Sequence, residues 1–588
     1  MQQRTHTCGD LTLKDIGKQV CLNGWIKNWR DHGSLIFIDL RDRYGITQIV
    51  FNPEINKRAY DKARSLRTEY VISTTGVVQA RPEGTVNKNL KTGEIEIIAQ
   101  TLQILNKCKT PPFEISDNIE INEETKLQYR YLDLRRTSMQ KNLLLRNHTY
   151  KLVRDYLHKL GFVEIETPIL MKSTPEGARD FLVPSRNYKG RFYALPQSPQ
   201  TYKQILMIAG FDRYYQIAKC FRDEDLRRDR QPEFTQIDIE MSFVNESDVM
   251  EIAQNLVKEI FIKIKNEDLG NKIPIIPFEQ ALKDYGTDKP DLRFDVKIHD
   301  LTSIFLNTNL AAFANEIRKG GIVAGISVEQ SEYFTRKKID HLIEYAKKLG
   351  AIGLIWYKIR DKELQGPTVK FHSQDEIVQL LAKFAGKEMR ILFTMAGKSE
   401  KILPILGELR LHLAKELNLI DKNKTSLVWI IDFPMLEFDA SENRFVARHH
   451  PFTAPQDRDM DLLEIEPEKV RARAYDLVLN GNEIAGGSIR IHNTDLQQKV
   501  FTMLNIAEEE AKQKFGFLLQ ALQYGAPPHG GIAFGFDRLI MILAGAKSIR
   551  DVIAFPKTAS ALSLMDGAPS AVSQTQMNEL GISISNNK

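Results

Sequence analysis

Between residues 11 and 105 apolar residues recur at every second position in short runs, the rhythm of strands that bury one face. The runs span 19–29, 34–40, 47–51, 70–79 and 94–105, and in the last Ile95 and Ile97 alternate with Glu94 and Glu96. Asp31-His32-Gly33 and Arg43-Tyr44-Gly45 supply turns, and residues 56–66 take helical spacing between the third and fourth runs. Lys109-Thr110-Pro111-Pro112 ends this region, because paired prolines continue neither strand nor helix. Past it, Leu145, Thr149, Leu152, Val153, Tyr156, Leu157 and Leu160 share one face of a predicted helix over 142–160. Gly161 stops that helix, and residues 162–168 alternate as a strand ending at Pro168. Over 282–423 chemistry-bearing residues thin out. Helices predicted over 333–349 and 399–417 and a strand over 353–359 mark this stretch as an inserted domain. After Lys557 the chain is rich in Ser, Ala and Asn and reads as irregular.

Five strands with one inserted helix predict a small barrel of the oligonucleotide-binding (OB) type. Charge sharpens that picture. The formal net charge is +5, yet residues 1–110 alone hold 17 Lys+Arg against 11 Asp+Glu, so the excess lies in the first fifth of the chain. Trp25, Lys27, Trp29, Arg30, Phe37, Arg41 and Arg43 interleave stacking faces with cations on the early strands, as single-stranded bases require. At 588 residues, 42% hydrophobic and 27% charged, the chain reads as a multidomain globular protein rather than a disordered or fibrous one. Cys8, Cys21, Cys108 and Cys220 lack metal-ligand spacing and read as free thiols of a reducing compartment. The polar start and the absence of any membrane-length apolar run lead us to expect a cytoplasmic protein with no membrane partner.

Three segments carry candidate chemistry. Phe221-Arg222-Asp223-Glu224-Asp225, continued by Arg230-Gln231-Pro232-Glu233-Phe234 and on to Asp238, sets guanidiniums, carboxylates and an aromatic face within 18 residues. Those are the groups a nucleotide's phosphates and base need. In the second segment Asp476 and Glu483 precede Gly486-Gly487-Ser488-Ile489-Arg490. Two carboxylates at a phosphate site suit Mg²⁺, paired glycines admit a ligand close to a strand, and Arg490 offers a planar fork to a carboxylate. The third segment, Gly530-Gly531-Ile532-Ala533-Phe534-Gly535-Phe536-Asp537-Arg538-Leu539, reads as a strand running into a helix near Asp537. Arg538 in that first turn opposes the helix dipole, which points to an anionic ligand.

The helix and strand ending at Pro168, the Phe221 to Asp238 hairpin and the Gly530 to Leu539 junction resemble the three motifs of class II aminoacyl-tRNA synthetases. The leading barrel makes the chain similar to the aspartate, asparagine and lysine subgroup, and the large insertion resembles that of its bacterial aspartate enzymes. The resemblance implies a multidomain α+β fold: an OB-fold anticodon-binding barrel over 1–108, a hinge over 109–140, and an inserted α+β domain over 282–423. An antiparallel catalytic sheet flanked by helices would come in two parts, 141–281 and 424–560, with a C-terminal extension over 561–588. It also implies a homodimer. By the same resemblance Arg222, Glu224, Gln231, Phe234, Glu483, Gly535, Phe536, Asp537 and Arg538 bind ATP, with Arg222, Glu224 and Arg538 catalytic. Asp476 and Glu483 hold Mg²⁺. Glu176, Ser198, Gln200, Lys203, Arg222, Asp238, His449 and Arg490 bind L-aspartate. Physics agrees with that amino acid: Lys203 and Arg490 offer two cations to a side-chain carboxylate, Asp238 can orient Lys203, and His449 adds a donor whose charge follows local pH. The reaction implied is ATP-dependent formation of aspartyl-adenylate, then transfer to tRNA.

Arg30, Phe37 and Gln48 match positions that read anticodon bases in the family. His32 and Gly84 depart from the pattern of strictly tRNA(Asp)-specific enzymes and resemble relaxed ones that charge tRNA(Asn) as well as tRNA(Asp). The competing readings are a tRNA(Asp)-restricted enzyme, an asparagine enzyme, a non-catalytic tRNA-binding relative and a general single-strand binder. The last leaves the second and third segments unexplained, and a non-catalytic relative would have lost Arg222, Glu483 or Arg538.

Overall fold

A computed structural model describes residues 2–174, 178–329, 331–360, 363–384, 389–439 and 443–585. Two compact units divide the chain, Met1–Lys141 and Asn142–Lys588.

In the first unit, strands Gln19–Asp31, Ile36–Arg41, Ile46–Phe51, Val71–Ala80 and Ile95–Asn106 close into a barrel. The fifth strand lies between the third and the fourth. Alternate residues such as Ile36, Ile38 and Leu40 fill its interior, which is why the period-two pattern was so regular. Helix Pro53–Ala63 is capped by Asn52, has Pro53 in its first turn, and buries Ala59, Tyr60 and Ala63. After the barrel, two short helices, Glu123–Gln128 and Arg130–Asp133, lead on. Glu69 accepts from Arg41 and from Arg135, each at 2.9 Å, and so fastens this segment to the barrel wall.

The core of the second unit is an eight-stranded sheet, in the order Ile275–Pro277, Leu427–Ile431, Ala474–Leu479, Asn482–Ile489, His529–Gly535, Glu233–Ser242, Arg213–Phe221, Val163–Glu164. Its pairs are antiparallel except at the two edges. Helices Thr137–Lys159, Glu246–Lys265 and Phe536–Ala544 contribute apolar faces to its main core. The strand expected over 162–168 is laddered only at Val163–Glu164. It is an edge strand, and beyond the Ile165 N–H bond to Tyr215 O the chain pairs through a side chain, Thr167 Oγ1 to Gln216.

In the chain, the segment between the two parts that build this sheet forms a second one, antiparallel and five-stranded: Ile298–Asp300, Ile322–Glu329, Arg390–Gly397, Ile355–Arg360, Glu363–Gln365. Ala324 and Ile326 enter one apolar cluster while Val323 enters another, so this sheet is buried on both faces. Helices Arg336–Lys348 and Ser399–Glu416 fall where their periodicity placed them. The tail is not irregular throughout: Gln574–Leu580 is a helix, closed by a Ser573/Gln576 capping box and by Gly581 in the left-handed region.

The central sheet depends on Gly531. A Cβ there would stand 2.0 Å from Glu240 Oε2 and 2.2 Å from Ile239 O, with backbone on one side and a buried carboxylate on the other. Gly531→Ala should therefore destabilise the second unit by about 3 kcal/mol. A lowered denaturation midpoint by circular dichroism checks this, and an unchanged midpoint refutes it.

Candidate active site

Strand register builds the site. Glu233–Ser242 pairs with His529–Gly535 so that Asp238 lies opposite Ala533 and Glu240 opposite Gly531. Residues 234, 236, 238 and 240 share one face, and small residues opposite leave room above them. The Gly486-Gly487 pair continues this low floor: Gly487 faces Ile532, and its Cβ would lie 2.1 Å from Gly531 O. Over it opens a cavity of about 440 Å³ lined from all three chemical segments.

At one end sits a buried charge cluster. Lys203, on helix Gln200–Ile208, places Nζ 2.5 Å from Asp238 Oδ1 and 3.2 Å from Glu240 Oε2. Arg490 grips Glu240 through Nε at 2.9 Å and Nη2 at 3.1 Å, and its Nη1 donates to Ser488 Oγ at 2.6 Å. Nη1 also lies 2.7 Å from His450 Nε2. Burial pushes the Glu240 carboxyl up, but Arg490 and Lys203 outweigh it and bring it down to about 2. Burial raises Asp238 despite Lys203. Glu240 and His450 were not singled out from the sequence. The signal for Glu240 was there, since Asp238-Ile239-Glu240 on a strand puts both carboxylates on one face.

His449 lines the same end, with its ring edge-on to Phe433 at 5.0 Å. The expectation of a charge that follows local pH is corrected: burial, aided by Arg448, pushes His449 down to about 4, so it is neutral at ordinary pH. Burial and Arg490 push His450 well below its usual value too. Among the described residues lining the cavity, four side-chain atoms are buried without a hydrogen-bond partner: Gln200 Nε2, Arg222 Nε, Asp238 Oδ2 and His449 Nδ1. An unsatisfied buried polar atom costs about 1–3 kcal/mol, so four around one cavity form a lining that calls for polar partners, from water or a polar ligand. Ser198 also lines it, while Glu176 lies outside the described residues.

Toward the other end Arg222 stacks over Phe234, with its guanidinium carbon 5.1 Å from the ring centre. Glu224 pairs with Arg230 at 2.7 Å, and Arg538 reaches Asp229 at 3.0 Å and the Glu483 carbonyl. Those acceptors, rather than an anion alone, accommodate Arg538 in the first turn of its helix. Gln231 lines the cavity, yet both ends of its amide engage the Lys557 backbone, at 3.1 Å and 2.7 Å. Gly535 and Asp537 line it as well, but the Asp537 carboxylate turns to the Thr235 N–H at 2.8 Å and to Arg146 at 2.5 Å. Phe536 does not line the cavity. Its ring is fully buried and stacked on Tyr150 at 4.3 Å, because the helix start turns it into the core.

Asp476 and Glu483 converge over Gly486: a Cβ there would stand 2.7 Å from Asp476 Oδ1 and 3.8 Å from Glu483 Oε1. Burial, Glu483 and Asp288 together raise the Asp476 carboxyl well above its usual value. A divalent cation would relieve that crowding. Two carboxylates side by side have the chemistry Mg²⁺ takes alongside water and phosphate oxygens.

On the barrel, Arg30 makes a two-pronged pair with Asp39 at 3.0 and 3.1 Å and donates to Gln48 Oε1 at 3.3 Å. Gln48 in turn donates to Glu96 at 2.8 Å. Phe37 is cross-strand from Arg30 and half-exposed, and His32 lies edge-on to it at 5.3 Å. Gly84 takes φ +82° in the turn closed by Thr85 N–H to Pro82 O, with nothing within 4 Å of a Cβ.

Comparison with known proteins agrees with this layout. Residues 20–105 match the OB-fold nucleic acid binding domain. A protein of Caldanaerobacter subterraneus subsp. tengcongensis named Aspartate--tRNA(Asp/Asn) ligase is 54% identical over 582 residues, covering 99% of this chain and 98% of its own. One of Desulfatibacillum aliphaticivorans with the same name is 52% identical over 583 residues, with 99% and 98% covered. The asparaginyl-tRNA synthetase from Pyrococcus horikoshii, solved with asparaginyl-adenylate, shares the fold at TM-score 0.60 and 18% identity, over 96% of this chain and 100% of that one. With residues 122–559 matching the family described as tRNA synthetases class II (D, K and N), the chain belongs to that family.

Proposed function

We propose that the chain joins L-aspartate to tRNA in an ATP-dependent reaction through an aspartyl-adenylate, and that it charges both tRNA(Asp) and tRNA(Asn). The observation that carries this reading is the two-ended cavity. Lys203 and Arg490 are presented together at one end, and Arg222 over Phe234 lies toward the other. The names of the full-length relatives support it.

In this reading the aspartate side-chain carboxylate sits between Lys203 and Arg490, with His449 donating as a neutral ring. Asp238 Oδ2 and Gln200 face the α-amino end, with Ser198 and Glu176 completing that pocket. Arg222 binds the α-phosphate and the attacking α-carboxylate together, and its stacking on Phe234 gives way to adenine. Glu224 and Arg538 meet the adenosine and the γ-phosphate, while Gln231 and Asp537 act by holding the hairpin. Asp476 and Glu483 would hold Mg²⁺, which neutralises phosphate charge when bound. The carboxylate attacks the α-phosphorus in line and pyrophosphate leaves. The terminal ribose hydroxyl of tRNA then takes the aspartyl group. No protein nucleophile is needed, so positioning and charge stabilisation supply the rate. Asparagine, lacking the charge, would offer the two cationic heads a neutral amide in place of a charge-assisted partner.

Phe37 would stack an anticodon base with Arg30 and Gln48 reading beside it, while His32 and Gly84 relax the tRNA range. A homodimer is supported by Val163, Ile169 and Leu170, apolar residues left about half exposed after helix Thr137–Lys159.

Aminoacylation with radiolabelled aspartate on separate tRNA(Asp) and tRNA(Asn) transcripts should charge both. Charging of tRNA(Asp) alone would remove the dual range, and charging of neither, with no aspartate-dependent ATP–pyrophosphate exchange, would sink the enzyme reading. Arg222→Ala should fold normally and lose roughly 10²–10³-fold in that exchange, while near-normal exchange would refute its role. Because His449 is pushed down to about 4 and His450 is held well below its usual value, protonation adds positive charge here only as pH falls far into the acid range. The KM for aspartate should therefore show no histidine inflection between about pH 6 and pH 8. An inflection near neutrality that disappears in His449→Gln would contradict the neutral ring.

A further inference from the structure

Among the described residues lining the cavity, Lys289 alone comes from residues 282–423. The chain reaches it through a rigid approach. Helix Phe278–Tyr285 ends at Gly286, φ +70°, where a Cβ would stand 2.1 Å from Leu403 O. A Cβ on Gly407 would stand 2.8 Å from Tyr285 O, so two backbones meet where the chain enters the inserted sheet. A few residues on, the buried Arg410 donates to Asp291 O at 2.8 Å and Phe294 O at 3.4 Å, and lies 4.0 Å over the Phe294 ring.

Lys289 is suspended between these anchors. On one side Asp288 pairs with Arg448 at 3.3 Å, and that guanidinium lies over Phe278 at 4.5 Å. On the other, Asp291 is gripped by Arg293 at 2.7 Å and packs at Gly481, whose Cβ would be 3.0 Å from that of Asp291. Pro290 disfavours helical backbone at Lys289. The ammonium itself stays half-exposed, 3.3 Å from Glu483 Oε2. A pair this open contributes about 0–1 kcal/mol, too little to explain the framing around it and little enough to be exchanged for a better anion.

Resting on the synthetase reading above, we propose that Lys289 is a phosphate-binding residue of the catalytic cavity, resting on Glu483 and passing to the β- and γ-phosphates of ATP. Its flexible four-carbon stem reaches either partner, and a triphosphate offers it far more negative charge than one carboxylate. Its departure frees Glu483 to act with Asp476. The inserted region thereby supplies a group to the nucleotide site it leads away from.

The test uses full-length Lys289→Met and Lys289→Arg and calorimetric binding of AMP and of a β,γ-methylene ATP analogue. Lys289→Met should bind the analogue about tenfold more weakly, with AMP binding unchanged, and Lys289→Arg should recover most of the loss. In exchange assays the KM for ATP should rise while that for aspartate stays level. Equal weakening of AMP and analogue, or no change in either, overturns the proposal. The wild-type chain separates the two readings: absence of aspartate-dependent exchange sinks the synthetase reading, whereas selective loss of analogue binding still upholds Lys289 as a phosphate ligand.

Discussion

Glu240 holds Arg490 through two hydrogen bonds and approaches Lys203 with one of the same oxygens, all three groups almost wholly buried. Charges buried this deeply persist only when paired, and stripping one partner from such a pair costs about 3–5 kcal/mol. The carboxylate therefore fixes two cationic heads relative to each other before any ligand arrives, and Asp238 and Ser488 finish their orientation. This is electrostatic preorganisation of the kind that turns an ordinary pair of cations into a selective one. The space for it comes from a missing side chain at Gly531, so the glycine and the carboxylate form one device.

Strand Asn482–Ile489 joins the two characters of the cavity. Glu483 lies near its start, Arg490 just past its end, and Gly486-Gly487 lie between. An acidic and a basic region thus occur on a single short stretch, with bare backbone where a ligand would cross. That arrangement suits a substrate pair that is anionic at both ends, with one anion meeting fixed cations and the other a carboxylate pair able to take a cation between them.

The barrel was legible because its strands bury one face, which leaves a period-two record in Ile36, Ile38 and Leu40. The inserted helices were legible for the matching reason at helical period. Edge strand Val163–Glu164 was over-read, since alternation says nothing about whether a partner exists to pair with. Phe536 was drawn into the nucleotide site by its place in a motif, although the helix start rotates it inward against Tyr150. His449 was read at its solution pKa, and only burial reveals otherwise. Composition hid helix Gln574–Leu580, whose capping box was written plainly in Ser573 and Gln576. Glu240 left a local sign in its alternation with Asp238, but its pairing with Arg490 lies 250 residues away, a distance no local pattern spans.

The turn at Gly84 bears on how such a chain can change over generations. Open space surrounds its Cα, so steric crowding would not oppose a larger residue, but φ +82° makes most L side chains strained there. Asn and Asp are the substitutes that conformation tolerates best. A lineage moving from glycine to a bulkier residue would either carry that strain, as Glu69 and Phe243 do elsewhere in the chain, or reshape the Pro82 to Thr85 backbone. Drift at this position is therefore weighed by backbone strain and loop shape rather than by crowding around the side chain.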